Sequence, residues 1–201
     1  AGTYVKNAQA NPDRHKRWCE QTVECLKPYA SRQMSILEVG CGECTTLQGV
    51  LDGLCEWQPT AYGFDISWSR VAIGRDWLTK HQHSANLFVA DLEHIPLADA
   101  SIDVVYSSHS LEPNGGREPA LLKECLRVAR DAVVLIEPIA ELGDDTQRAR
   151  MREHGYICGL RDVAKQLSCT VVDYRRLPFC TNPLNPTGLL VLRPPACQRR
   201  E

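Results

Sequence analysis

The chain has 201 residues, 43% of them hydrophobic, enough to bury one full core and too few for a second large domain. Its 23 basic and 25 acidic residues leave a net charge of -2, so binding to long nucleic acid is not favoured, and the short basic clusters at Arg14 to Arg17 and at Arg199 and Arg200 read as solvated surface. No stretch approaches the roughly 20 apolar residues needed to span a bilayer, and the first thirty lack an apolar signal core, so a soluble cytoplasmic protein with its ten cysteines reduced is expected.

In chain order, Asp13 to Leu26 predicts a first helix, with Trp18, Val23 and Leu26 on a loosely apolar side and Pro28 beyond its end. Residues 1–30 are expected to form a helical lid segment, and residues 31–201 a core domain. Ile36, Leu37 and Val39 read as a buried parallel strand, followed by a helix from Glu43 to Leu54, a strand at Ala61, a helix from Trp68 to Leu78 and a strand at Leu87. That alternation is a βαβαβ unit. The second half supplies a strand from Ile102 to Tyr106, a helix from Pro119 to Val128 and a strand from Ala132 to Ile136. A charged helix from about Thr146 to His154 and another from Leu160 to Leu167 follow. Two last strand candidates, Thr170 to Tyr174 and Gly188 to Leu192, flank the proline-rich LPFCTNPLNP. No internal repeat is visible.

Function is concentrated where the first strand turns, in ILEVGCGECTTL from Ile36 to Leu47. Gly40 and Gly42 let the backbone turn sharply and lie close to a ligand, and a helix opening at Glu43 would aim its free N–H groups at that ligand. A nucleotide-like cofactor is expected there. The spacing departs from the dinucleotide fingerprint G-x-G-x-x-G, because Thr45 stands where the third glycine belongs. Glu38 precedes the first glycine by two residues, and an acid closes each of the next two strands: Asp65, placed for a ribose diol, and Asp91, placed for an adenine amino group. Cys41 and Cys44 form a C-x-x-C with neither further ligands nor a thioredoxin-like context in the adjacent sequence, as a metal or redox site would want, and read as cofactor-loop geometry rather than a metal site. Cys19 with Cys25, and Cys180 with Cys197, lack zinc-knuckle spacing.

EVGCG, GFDIS and ADLEHIPLADASIDVVYSS together resemble the class I S-adenosylmethionine-dependent methyltransferases, over roughly Ser35 to Pro138. The resemblance implies an α/β, Rossmann-like, seven-stranded, mostly parallel sheet with helices on both faces and a C-terminal antiparallel hairpin. It implies S-adenosyl-L-methionine as cofactor, held by Glu38, Gly40, Cys41, Gly42, Asp65, Ile66, Asp91, Leu92 and Ser107, with Ser108 also at the methionine end. One departure is VARDAVVLIEP, which lacks the Gly-Gly turn many members place before the fifth strand.

Ligands of open α/β sheets sit beyond the carboxyl ends of the strands, which singles out SSHSLEPN and the rim at Glu137 and Pro138. His109 is the candidate general base, since an imidazole titrates near neutrality. Glu112 and Asn114, and more distantly His154 and Tyr156, are candidates to face the acceptor. Asp144 and Asp145 read as a helix N-cap rather than magnesium ligands, and no metal is assigned. An Asn/Asp-Pro-Pro-aromatic run after the fourth strand and a Lys-Asp-Lys-Glu set are both missing; the NPLNP at Asn182 comes too late. A small-molecule acceptor is therefore expected, with oxygen ahead of nitrogen or carbon as the methylated atom. Two other readings stay open: a methyltransferase-like subunit that supports a partner without catalysis, and an NAD(P)-dependent oxidoreductase, which the missing third glycine and Asp91 disfavour. Oligomeric state is not legible.

Overall fold

In the computed structural model, which describes residues 2–195, Ser35–Val39 forms the first strand, β1, and its alternation divides the core in two. Ile36 packs into one apolar cluster, Leu37 and Val39 into the other, because successive side chains of a strand point to opposite faces. The same parity holds in β4 (Ile102–Ser108), β5 (Ala129–Pro138) and β7 (Thr187–Arg193): Val104, Val134 and Val191 join Ile36, while Val105, Val133 and Leu190 join Leu37. A register irregularity between Ile102 and Val104 puts Ile102 on the side of Val105.

Helices fill both faces. On the Ile36 side lie α2 (Pro12–Leu26), through Trp18, Val23 and Leu26, and α3 (Thr45–Gly53), through Leu47 and Val50. The next helix, α4 (Trp68–Lys80), contributes Leu78 to that cluster. On the Leu37 side lie α5 (Glu118–Val128) and α7 (Leu160–Gln166), through Leu121, Leu122, Leu126, Leu160 and Ala164. With β2 (Thr60–Asp65), β3 (Asn86–Val89) and β6 (Thr170–Arg176), the sheet has seven strands in the order β3-β2-β1-β4-β5-β7-β6. β7 runs antiparallel to both neighbours and every other pairing is parallel. The strand order reverses between β1 and β4, which opens a crevice at their carboxyl ends.

Several boundaries differ from the sequence reading, β5 running Ala129–Pro138 where Ala132 to Ile136 was expected, and the differences that bear on the site are N-terminal. A helix α1 (Thr3–Ala10) precedes α2; it buries only Ala8, so no apolar period announces it. The second helix starts at Pro12, a residue whose fixed φ and missing N–H suit the first helical position. The third starts at Thr45 instead of Glu43, because Gly40, Gly42 and Cys44 adopt positive φ (66°, 54° and 56°) and lengthen the turn. The cap expected before Thr146 is present: α6 (Asp145–Glu153) begins with a capping box in which Asp144 accepts from Gln147 N–H at 2.8 Å and Gln147 Oε1 accepts from Asp144 N–H at 2.9 Å. Cys197, Arg199 and Arg200 lie outside the described residues. No helix among the described residues is long and apolar enough to cross a membrane.

Candidate active site

The strand tips β1, β2, β3 and β4 converge on a cavity of about 310 Å³, within the size range of small-molecule sites. Its wall includes Glu38, Gly40, Cys41, Gly42, Asp65, Ile66, Asp91 and Leu92, which the sequence singled out from three separate segments. Gly40 is required twice over: its φ is +66°, and a Cβ there would lie 2.5 Å from Ser110 Cβ. Ser110 Oγ in turn donates to Val39 O at 2.6 Å, tying the segment after β4 to the end of β1. The N-terminus of α3 reaches the cavity through Thr45 and Thr46.

Charges at the strand ends are held in different ways. Asp65 accepts from Gly42 N–H at 3.1 Å and Ser67 N–H at 2.8 Å, so this carboxylate braces the glycine turn from the neighbouring strand. Asp91 accepts from Glu93 N–H at 2.9 Å and from Arg117 Nη2 at 3.3 Å, which leaves Oδ2 without a hydrogen bond among the described residues. Glu38 lies between Gly63 of β2 and Tyr106 of β4, and its Oε2, fully enclosed, has no hydrogen-bond partner among the described residues. Burial pushes its carboxyl up to about 8, against the opposing pull of Tyr106 and the Leu47 backbone. Enclosed glycines, an orphaned carboxyl oxygen and acids at three strand tips fit an adenosyl cofactor with a cationic sulfur.

The segment after β4 hangs from β5. Glu137, fully buried, accepts from the N–H groups of Ser110 (3.0 Å) and Leu111 (3.2 Å). Burial raises its carboxyl to about 7, with His109 lowering it and Glu112 reinforcing the rise. This tether places His109 in a left-handed backbone conformation, φ +52°, seldom adopted by a side chain-bearing residue. His109 Nε2 shares a 2.9 Å hydrogen bond with Thr187 Oγ1, its Nδ1 lies 3.2 Å from Glu112 Oε2, and its ring meets Trp18 edge-on at 4.9 Å. Trp18 Nε1 donates to Ser108 Oγ at 3.0 Å.

A second cavity of about 300 Å³ shares Tyr4, Thr45, Thr46, Ser108, His109 and Glu112 with the first, and adds Asn7, Asn11, Arg14, Trp18 and Thr181. These shared residues, His109 among them, form a common wall beside α1 and α2. Glu43, which turns out to lie in the turn, reaches α1: its carboxylate accepts from Gly2 N–H and, at 2.8 Å, from Val5 N–H. That places an acid at a helix N-terminus, where the dipole favours it, and seats Tyr4 over Gly42.

Not every candidate reaches the cavities. Ser107 is fully buried beneath the first one, and its neighbour Ser108 lines it instead. Asn114 lines the first cavity while its side chain donates to Leu111 O at 3.0 Å. His154 and Tyr156 line neither: His154 Nδ1 lies 3.0 Å from Arg150 O, and Tyr156 Oη accepts from Asn185 at 3.4 Å. Tyr4, Arg70, Trp18 and Arg117 were missed by sequence reasoning. Trp18 carried a signal, as an apolar residue on a helix expected to cover the site; Arg117 carried none, because its ion pairs with Asp91 and Glu93 join segments 26 and 24 residues apart.

Residues 36–132 match the model of a family described as a methyltransferase domain. A comparison with curated proteins gives no significant match. Among solved structures, the fold is similar to that in a complex between the Trm112 methyltransferase activator and a putative methyltransferase of Haloferax volcanii, at 17% identity and a TM-score of 0.72, covering 97% of this chain and 96% of that one. It is also similar to a putative sarcosine dimethylglycine methyltransferase from Galdieria sulphuraria (12% identity, TM-score 0.67, 90% and 85% covered). A third is a SAM-dependent methyltransferase from Aquifex aeolicus (17% identity, TM-score 0.63, 85% and 87% covered). Residues 36–132 thus match a methyltransferase domain, set in a seven-stranded fold shared with these methyltransferase structures.

Proposed function

We propose that this chain methylates a small-molecule acceptor seated in the second cavity, with a hydroxyl oxygen preferred over nitrogen or carbon. The observation that carries this reading is a shared wall: the cofactor cleft lined by strand-end acids and a second chamber have Tyr4, Thr45, Thr46, Ser108, His109 and Glu112 in common. S-adenosylmethionine, when bound, supplies a methyl group on a sulfonium, a leaving group already installed. What remains for the protein is alignment, exclusion of water and removal of a proton.

Glu38, Gly40, Cys41, Gly42, Asp65, Ile66, Asp91 and Leu92 form the cofactor cradle, with Ser107 supporting Ser108 at its methionine end. His109 and Glu112 line both cavities, and Nε2 of His109 is tied to the fully buried Thr187. The His109 imidazole takes the proton leaving an acceptor hydroxyl, and oxygen is preferred because a neutral hydroxyl is a weak nucleophile without such a base. Glu112, common to both cavities, stands where the acceptor enters, and Asn114 borders it from the cofactor side. Residues 1–30 act as the lid of the domain formed by the rest of the chain. Buried packing thiols such as Cys25 and Cys125 suit a reducing cytoplasm.

Titration calorimetry with S-adenosylmethionine, S-adenosylhomocysteine and NADH tests the cofactor. Preference for NADH overturns the proposal. Formation of S-adenosylhomocysteine across a panel of hydroxylated and amino metabolites tests catalysis, and binding without turnover throughout would favour a partner-supporting subunit. His109→Ala is expected to lower turnover by roughly 10²–10⁴-fold with near-normal S-adenosylhomocysteine affinity. Undiminished turnover in that variant retires the base.

A further inference from the structure

The cofactor reading uses the Cys41-Gly42-Glu43-Cys44 turn for its backbone and leaves its two thiols without a role. They face each other, with Cys44 Sγ 3.7 Å from Cys41 Sγ. Cys44 N–H donates to Cys41 O at 2.8 Å, closing a β-turn. The end Cα atoms of such a turn lie less than about 7 Å apart, and a disulfide spans about 4.4–6.8 Å. Two glycines make room for the sulfurs. A Cβ on Gly63, inside β2, would come within 3.2 Å of Cys41 Sγ, and one on Gly74, inside α4, within 2.6 Å of Cys44 Sγ. Glycine is unfavourable in such interiors, and here the space it leaves is taken by the sulfurs.

We infer that Cys41 and Cys44 form an oxidisable pair whose disulfide weakens cofactor binding, a modification site built into the cofactor loop. The oxidant is a hydroperoxide. Cys41, which lines the cavity, attacks the O–O bond of hydrogen peroxide, giving a sulfenic acid and one water. Cys44, fully buried behind it, displaces the hydroxyl as a second water, so two S–H bonds are lost, one S–S bond forms and two electrons pass to the peroxide. The hydrogen bond to Cys44, together with burial, holds the Cys41 thiol above the usual range, so the reaction is slow. Closing 3.7 Å to the roughly 2.05 Å of a disulfide draws in the turn that carries Gly42 N–H, bonded to Asp65, and Glu43, which caps α1. Bound cofactor covers Cys41 and protects the pair.

The inference rests on the cofactor reading, and its test separates the two. The chain is treated with hydrogen peroxide, with and without S-adenosylhomocysteine; free thiols are alkylated, the cross-link is mapped by peptide mass spectrometry, and S-adenosylhomocysteine affinity is measured by calorimetry. A Cys41–Cys44 cross-link is expected, slowed by the ligand, with affinity lowered at least about tenfold, the worth of one charge-assisted hydrogen bond. Dithiothreitol should restore it, and Cys44→Ala should keep its affinity under peroxide. Should that variant fail to fold, reversal by dithiothreitol in the unsubstituted chain makes the same comparison. Free thiols at both positions while other cysteines oxidise, or a cross-linked chain with unchanged affinity, overturns the inference. A reduced chain that ignores S-adenosylhomocysteine overturns the cofactor reading instead, whatever the cross-link map shows.

Discussion

Glu38 carries a carboxyl group into the driest part of the sheet, and its proton is the most direct handle on the site. Because burial raises it from an ordinary 4.5 to about 8, the folded chain holds this proton more tightly than the unfolded chain does. The resulting stabilisation is complete below about pH 4.5 and is lost as pH rises to 8, a contribution on the order of a few kcal/mol. Glu137 has the same sign, so the informative quantity is a difference. Thermal melts of the wild-type chain and Glu38→Gln should diverge between pH 5 and pH 8, the wild type losing ground; parallel curves would place the charge elsewhere. Asp65 tests the site from the second strand. It braces Gly42 and faces the cleft, so Asp65→Ala is expected to weaken S-adenosylhomocysteine binding by roughly 10- to 100-fold, read by calorimetry. Both acids were visible in the sequence, because an acid at the end of an apolar run is a local pattern. The tether from Glu137 to the post-β4 turn and the pinning of His109 by Thr187 were not, since those partners lie 27 and 78 residues apart.

Among the elements, the contact between α2 and α3 decides where the N-terminal helices sit. Gly49 and Gly53, one turn apart on α3, admit Cys19 and Val23 of α2 so closely that a Cβ on Gly49 would lie 2.5 Å from Cys19 Cβ. Alanine normally improves a helix interior over glycine by about 1 kcal/mol. Here the clash outweighs that gain, and Gly49→Ala is expected to destabilise the chain by about 1–3 kcal/mol in denaturant unfolding. A more stable variant would mean that α2 shifts freely. The helix itself was legible from Trp18, Val23 and Leu26, as was the capped start of α6 from its acids. α1 escaped notice because its hold on the protein comes from the Glu43 carboxylate and from Tyr4 over Gly42, contacts that leave no periodic trace in TYVKNAQA.

For the whole molecule, binding at the crevice where strand order reverses should be felt as global stability. S-adenosylhomocysteine at a hundred times its Kd should stabilise the fold by about 2.7 kcal/mol, a rise in Tm of roughly 5–11 °C for a domain of this size. NADH at equal concentration should leave Tm unchanged, and the reverse pattern would remove the methyltransferase reading. The alternation of strands and helices, the glycine turn and the acids at the strand tips were determined by the sequence alone, because strand period, helix period and turn chemistry act over a few neighbouring residues. Only the tertiary structure placed β7 between β5 and β6, brought Arg117 to Asp91, and enclosed a second cavity between the N-terminal helices, Thr181 and His109. Those features arise from long-range packing, in which residues far apart in the chain meet because burying both apolar faces of one sheet leaves them no other place.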